Sequence, residues 1–183
     1  MWLKSVSAFV VIASLISSGC GAPSHGSQSP FQSVEWKTYQ SPDGRVSFNY
    51  PSDFKVSIVP RKSADAPQLA LSMESSDGSA DVTLILRVSD EVKSDYCDYM
   101  HDMTLRHPNT IAISQREPVK RGDARGLRQE FRDGSGWAAK EFIAVTLEAG
   151  SAHVHFTSGY SARSRDHVRP ICQRIVESLT LSP

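Results

Sequence analysis

The chain has 183 residues, enough for one domain of ordinary size and too few for two. Its 20 Lys and Arg balance 20 Asp and Glu, so bulk charge does not draw it to nucleic acid, and no nucleic-acid partner is expected. Hydrophobic residues make up 39% and charged residues 22%, too apolar for a disordered chain and too evenly mixed for several membrane spans.

Residues 1–19 carry Lys4 and then an apolar run, Val6 to Ile16, too short to cross a bilayer and placed like an export signal. The run ends in Leu15-Ile16-Ser17-Ser18-Gly19-Cys20, which resembles the lipobox of bacterial lipoproteins, with Ser17 where that family usually has Leu. The resemblance implies cleavage before Cys20 and acyl chains on its sulfur and amine, an anchor that holds a protein stably at a membrane. It places the protein in the bacterial envelope, at the outer membrane facing the periplasm where there are two membranes, because Gly21 is not the Asp that retains lipoproteins at the inner one. An ordinary export signal with Cys20 as a passenger thiol is the other reading. Residues 20–33 then form the lipidated cysteine and a tether rich in Gly, Ser and Pro, reaching about 20 Å.

Residues 34–183 form the folded domain. Val34 to Gln40, Val46 to Tyr50, Lys55 to Val59, Gln68 to Glu74 and Asp81 to Val88 read as short alternating strands, separated by Ser41-Pro42-Asp43-Gly44, Pro51-Ser52-Asp53, Pro60 to Pro67 and Asp77-Gly78. Over Glu91 to His107 the bulkier residues Val92, Tyr96, Tyr99, Met100 and Met103 recur at helical spacing, and Pro108 ends the segment. A second meander follows at Thr110 to Lys120, Ala124 to Arg132, Trp137 to Glu148 and Ala152 to Ser158. A closing helix carries Val168, Ile171, Cys172, Ile175 and Leu179 on one side, and Pro170 places its regular start near His167 to Arg169. Strands, helix, strands, helix is an α+β order, a mainly antiparallel sheet flanked by helices.

With Cys20 in the anchor, Cys97 and Cys172 are an even pair in an exported protein, so a disulfide joining the two helices side by side is expected. Closing so long a loop stabilises by on the order of 4 kcal/mol. Two buried apolar thiols are the alternative.

The run from Tyr39 to Val56, with Tyr50-Pro51-Ser52 and Phe54 after a Gly turn, resembles the opening hairpin of PsbP-like domains, and Glu177-Ser178-Leu179 resembles their closing helix. The resemblance implies an α/β/α sandwich of the kind shared with DcrB- and LpqN-type lipoproteins, whose members bind or stabilise partners and share no reaction.

His153 and His155 leave one face of a predicted strand, so they are candidates for a small-ligand or metal carrier, with no third ligand identifiable. The same strand read as solvated makes them ordinary surface residues; the isolated His101, His107 and His167 read as surface or capping residues. Glu91, Asp95, Asp98 and Asp102 form an acidic stripe on the first helix, while Arg125 and Arg128 belong to a basic run in the second meander. These six residues are the candidate partner-binding groups, for an envelope protein or an anionic lipid; a plain solvated surface is the alternative. No nucleophile elbow, zinc-protease or nucleotide-binding motif is present, no catalytic residue is assigned and no cofactor is expected. The reading is a membrane-anchored, non-catalytic binding or support module, with an envelope enzyme of unrecognised site as the runner-up.

Overall fold

The structure is a computed structural model that describes residues 34–60, 69–88 and 96–183. The export signal, Cys20, the tether to Ser33, and Glu91, Val92 and Asp95 lie outside the described residues. Alternating sequences become strands because one face of each is covered. In β2 (Val46–Pro51) Val46 and Phe48 are buried; in β4 (Leu69–Glu74) and β5 (Ala80–Val88) so are Leu71, Met73, Val82, Leu84 and Leu86.

Strands β1 (Trp36–Gln40), β2 and β11 (Thr180–Leu181) make a three-stranded antiparallel sheet. An eight-stranded antiparallel sheet runs β3 (Lys55–Ile58), β4, β5, β10 (Ala152–Ser161), β9 (Lys140–Ala149), β8 (Ala124–Asp133). Its far edge is shared by β6 (Thr110–Ala112) and β7 (Glu117–Arg121), both paired to β8. Helix α2 (Arg165–Glu177) and the small sheet pack on one face, where Phe48 of β2 meets Phe156 of β10 edge-on with 5.2 Å between centroids. Helix α1 (Tyr96–Leu105) lies on the other face, against β9, β8 and β6. The order and layering are those of an α+β fold, a mainly antiparallel sheet flanked by helices.

Three expectations are corrected. The segment Thr110 to Lys120 is two strands, because from Ala112 to Glu117 the chain advances five positions while β8 retreats three, from Phe131 to Arg128. The surplus residues loop out, held by Ile113 N–H on the Glu130 carbonyl and Glu130 N–H on Ser114 Oγ, both at 2.9 Å. The segment predicted from Trp137 starts as a strand only at Lys140, after a 3-10 turn at Gly136–Ala138. Helix α2 begins at Arg165, with Pro170 inside it. A mid-helix proline costs about 3 kcal/mol. Burying Val168, Cys172, Ile175 and Val176 outweighs that, at roughly 1.5–3 kcal/mol for each large apolar side chain. Among the described residues no helix is long and apolar enough to cross a membrane.

Candidate functional site

Along β10, alternation sends Val154, Phe156 and Tyr160 to the α2 side and His153 and His155 to the α1 side. The α1 side is not solvated: His153 is 2% and His155 7% exposed, and His101, expected at the surface, is fully buried. Helix α1 produces this burial with an unusual inner face. Only Tyr96 and His101 are fully turned in, Tyr96 lying on the His153 ring at 4.6 Å and His101 edge-on to His155 at 6.4 Å. Tyr99 and Met103, which the helical spacing groups with Tyr96 as core, are exposed.

The imidazoles have few partners. His101 Nδ1–H donates to Gln129 Oε1 at 3.3 Å, Gln129 Nε2 donates to the Ser114 carbonyl at 3.1 Å, and His155 Nδ1 meets Thr146 Oγ1 at 3.0 Å. His101 Nε2, both ring nitrogens of His153 and the Tyr96 hydroxyl are buried without a side-chain hydrogen bond among the described residues. Burial holds all three imidazoles below the usual histidine range; for His155, with the nearby His101 and Arg87 adding to it, the value falls to about 4. Among the described residues no group of three His, Cys, Asp or Glu side chains could hold a metal ion.

The predicted acidic stripe is bridged by this chain's own Arg116. Its Nη1 donates to Asp98 Oδ1 at 2.6 Å, its Nη2 to Asp102 Oδ1, and its Nε to Gln129 Oε1 at 3.4 Å. Arg116 sits in the loop between β6 and β7, so the register break there is what lets an edge residue reach over to α1. Arg125 and Arg128 do not share a patch: three positions apart on β8, they leave opposite faces. Arg125, 81% exposed, pairs with Glu148 at 3.0 Å on the α1 side, whereas Arg128 pairs with Glu117 and the buried Glu130 on the α2 side. There Arg169 also holds Glu130, and Arg132 and Arg165 hold the buried Glu141. Burial pushes the Glu141 carboxyl up, but its two arginines and the Tyr160 hydroxyl pull it net below the usual carboxylate range.

The expected disulfide does not form. Cys97, half-buried on α1, points its Sγ to the Thr146 carbonyl at 3.7 Å, and Cys172, buried on α2, points its Sγ to the Gly159 carbonyl at 3.5 Å. The large sheet stands between them, so the two helices cannot lie side by side and no rotamer joins the thiols. Burial pushes both thiols up, to about 11 for Cys97 and about 12 for Cys172.

A groove of about 200 Å³ opens on the opposite layer, floored by Phe54, Val168 and Ile171 and rimmed by Asp53, Asp77 and His167. It is smaller than the roughly 300–1,000 Å³ usual for small-molecule sites. Sequence reasoning placed His101 at the surface and Arg116 in the basic run, and missed Gln129 and Thr146. Each is unremarkable in its own segment, and the available signal was the strict alternation of His153 and His155 with Val154 and Phe156 in a strand whose both faces are covered.

The architecture is an α+β fold of the PsbP-like kind. No protein-family model matches the chain, and no curated protein does. Among solved structures, the solution structure of cyanobacterial PsbP (CyanoP) from Synechocystis sp. PCC 6803 is similar with TM-score 0.59 and 14% identity, over 86% of this chain and 98% of that one. LpqN, described as involved in cell envelope biogenesis of Mycobacterium tuberculosis, is similar with TM-score 0.56 and 11% identity, over 82% of this chain and 92% of that one.

Proposed function

We propose that this chain is a lipid-anchored envelope protein whose domain binds or supports an envelope partner without turning over a substrate. The observation that carries the binding reading is the orientation of α1. The helix spends histidine and tyrosine on its inner contact and presents Met103 outward beside the Asp98–Arg116–Asp102 ion pairs, a mixed apolar and charged surface. The non-catalytic reading is supported by the pairing of titratable groups: Asp98, Asp102, Glu130, Glu141 and Glu148 are each taken up by an arginine of the same chain. The likeness to LpqN supports an envelope location, and the Gly19-Cys20 junction after an apolar export run supports the lipid anchor.

The test is photo-crosslinking in cells from Met103, with Arg163 as a control position on the other layer. A discrete adduct from Met103, absent from Arg163 and weakened when Asp98 and Asp102 become Asn, is expected. Equal capture from both positions, or none from Met103, refutes α1 as the docking surface. Cys20→Ser is expected to move the protein to the soluble envelope fraction; unchanged membrane association removes the anchor.

A further inference from the structure

We propose a further function, proton sensing: protonation of His101, His155 and His153 lifts α1 from the β8–β9–β10 face while the α2 side of the domain stays folded. The proposal stands independently of the function proposed above.

Its basis is the asymmetry between the two sides of the large sheet. On the α2 side, Val168, Cys172, Ile175 and Val176 of the helix join a continuous apolar core with Leu84, Val154 and Phe156. On the α1 side the described residues of the helix contribute two fully buried side chains, one of them an imidazole, with Cys97, Met100 and Thr104 half-buried. A layer built this way has less apolar contact to resist opening than the α2 layer, which places it lower in local stability.

The same layer offers added protons little compensation, and desolvation outweighs the groups that would welcome them. His101 is faced by Gln129, Phe131 and the Leu127 backbone from β8, His155 from β10, Arg116 from the β6–β7 loop and Asp98 from its own helix; Gln129, Leu127 and Asp98 favour its proton, and burial and Arg116 oppose it. His155 is faced by Thr146 from β9, Arg87 from β5 and His101. His153 is faced by Tyr96 from α1 and Glu148 from β9, with Arg87 of β5 opposite it in the register. Of the described carboxylates nearby, Asp98 and Asp102 are engaged by Arg116 and Glu148 by Arg125. Glu148 favours a proton on His153, so the opening force resides in the His101 and His155 pair, where a second positive charge meets the first in a dry layer. Lifting α1 hydrates all three rings at once, and protons therefore drive that step.

Cys97 and Cys172 report on the two sides separately, since α1 carries the half-buried Cys97 thiol against β9 and α2 carries the buried Cys172 thiol against β10. The full chain is modified with 4,4′-dithiodipyridine between about pH 7.5 and pH 5, with each cysteine followed by peptide mass spectrometry and each rate divided by that of glutathione at the same pH. Normalised labelling of Cys97 is expected to rise about tenfold or more on acidification, a change equivalent to one pKa unit of linkage. Cys172 is expected to stay protected. His101→Gln with His155→Gln is expected to flatten the response while Cys172 stays protected at neutral pH. A flat Cys97 profile, simultaneous exposure of both thiols, or an undiminished response in the double variant overturns the proposal. Should the double variant fail to protect Cys172, His101→Gln alone decides: an undiminished response in it overturns the proposal equally.

Discussion

Ser41 and Ser75 occupy the same position in two copies of one turn. In Ser41-Pro42-Asp43-Gly44-Arg45-Val46 the serine hydroxyl donates to Asp43 Oδ1 at 2.6 Å and accepts from Val46 N–H at 2.9 Å. In Ser75-Ser76-Asp77-Gly78-Ser79-Ala80 it donates to Asp77 Oδ1 at 2.7 Å and accepts from Ala80 N–H at 2.9 Å. Gly44 and Gly78 adopt positive φ, +73° and +67°, which a residue with a Cβ rarely tolerates. One turn leads into β2 of the small sheet and the other into β5 of the large one, so the same local chemistry closes a hairpin in each sheet.

Ser41→Ala and Ser75→Ala are each expected to destabilise the domain by about 1–3 kcal/mol, since each leaves a buried strand N–H without its acceptor. Denaturant unfolding checks this, and the two effects should add because the turns do not touch.

Asp77 is held at about 2 by hydrogen bonds from Ser79 and Ser75. Its folded value lies below the unfolded carboxylate value, so its contribution is present above about pH 4 and fades as pH falls toward 2. Asp77→Asn is expected to lower stability at pH 7 and to leave stability near pH 2 close to that of the parent, read from parallel unfolding curves.

The buried imidazoles act over a different window. His155 is a base whose folded value, about 4, lies below the unfolded value near 6.5, so its stabilising effect is complete above about pH 6.5 and is lost progressively toward pH 4. The full loss corresponds to about 3 kcal/mol, and His155→Gln is expected to remove that part of the pH dependence of unfolding.

Arg116→Ala is expected to cost less than about 1 kcal/mol of global stability, because Asp98 and Asp102 are more than half exposed. Its effect belongs to α1: amide exchange over Tyr96–Leu105 should accelerate several-fold while exchange in α2 is unchanged. Equal acceleration in both helices would contradict the two-sided stability described above.

Cys97 and Cys172 are expected to be alkylated as free thiols after denaturation without reductant, and reduction is expected to leave the melting temperature unchanged. Peptide mapping that finds them joined would require a different placement of α1.

Local chemistry determined much of this protein by itself. Strands β2, β4, β5 and β8 lie within a residue or two of their periodic patterns, because covering one face of a strand demands a two-residue alternation that any reader of the chain can see. The turns at Asp43-Gly44 and Asp77-Gly78 were equally visible, since their serine, aspartate and glycine act on neighbours only a few residues away. What the tertiary structure alone decided is which face each element covers. Cys97 and Cys172 satisfied every parity rule for a disulfide, yet the sheet separates them. Tyr99 and Met103 matched the helical period of Tyr96, yet the rotation of α1 turned them out and His101 in. Arg116 met Asp98 and Asp102 only because two surplus residues between β6 and β7 released it from the ladder. These outcomes depend on contacts between residues distant in the chain, and the energy of such a contact is set by the partner and its burial, neither of which is written in the segment that supplies one half of it.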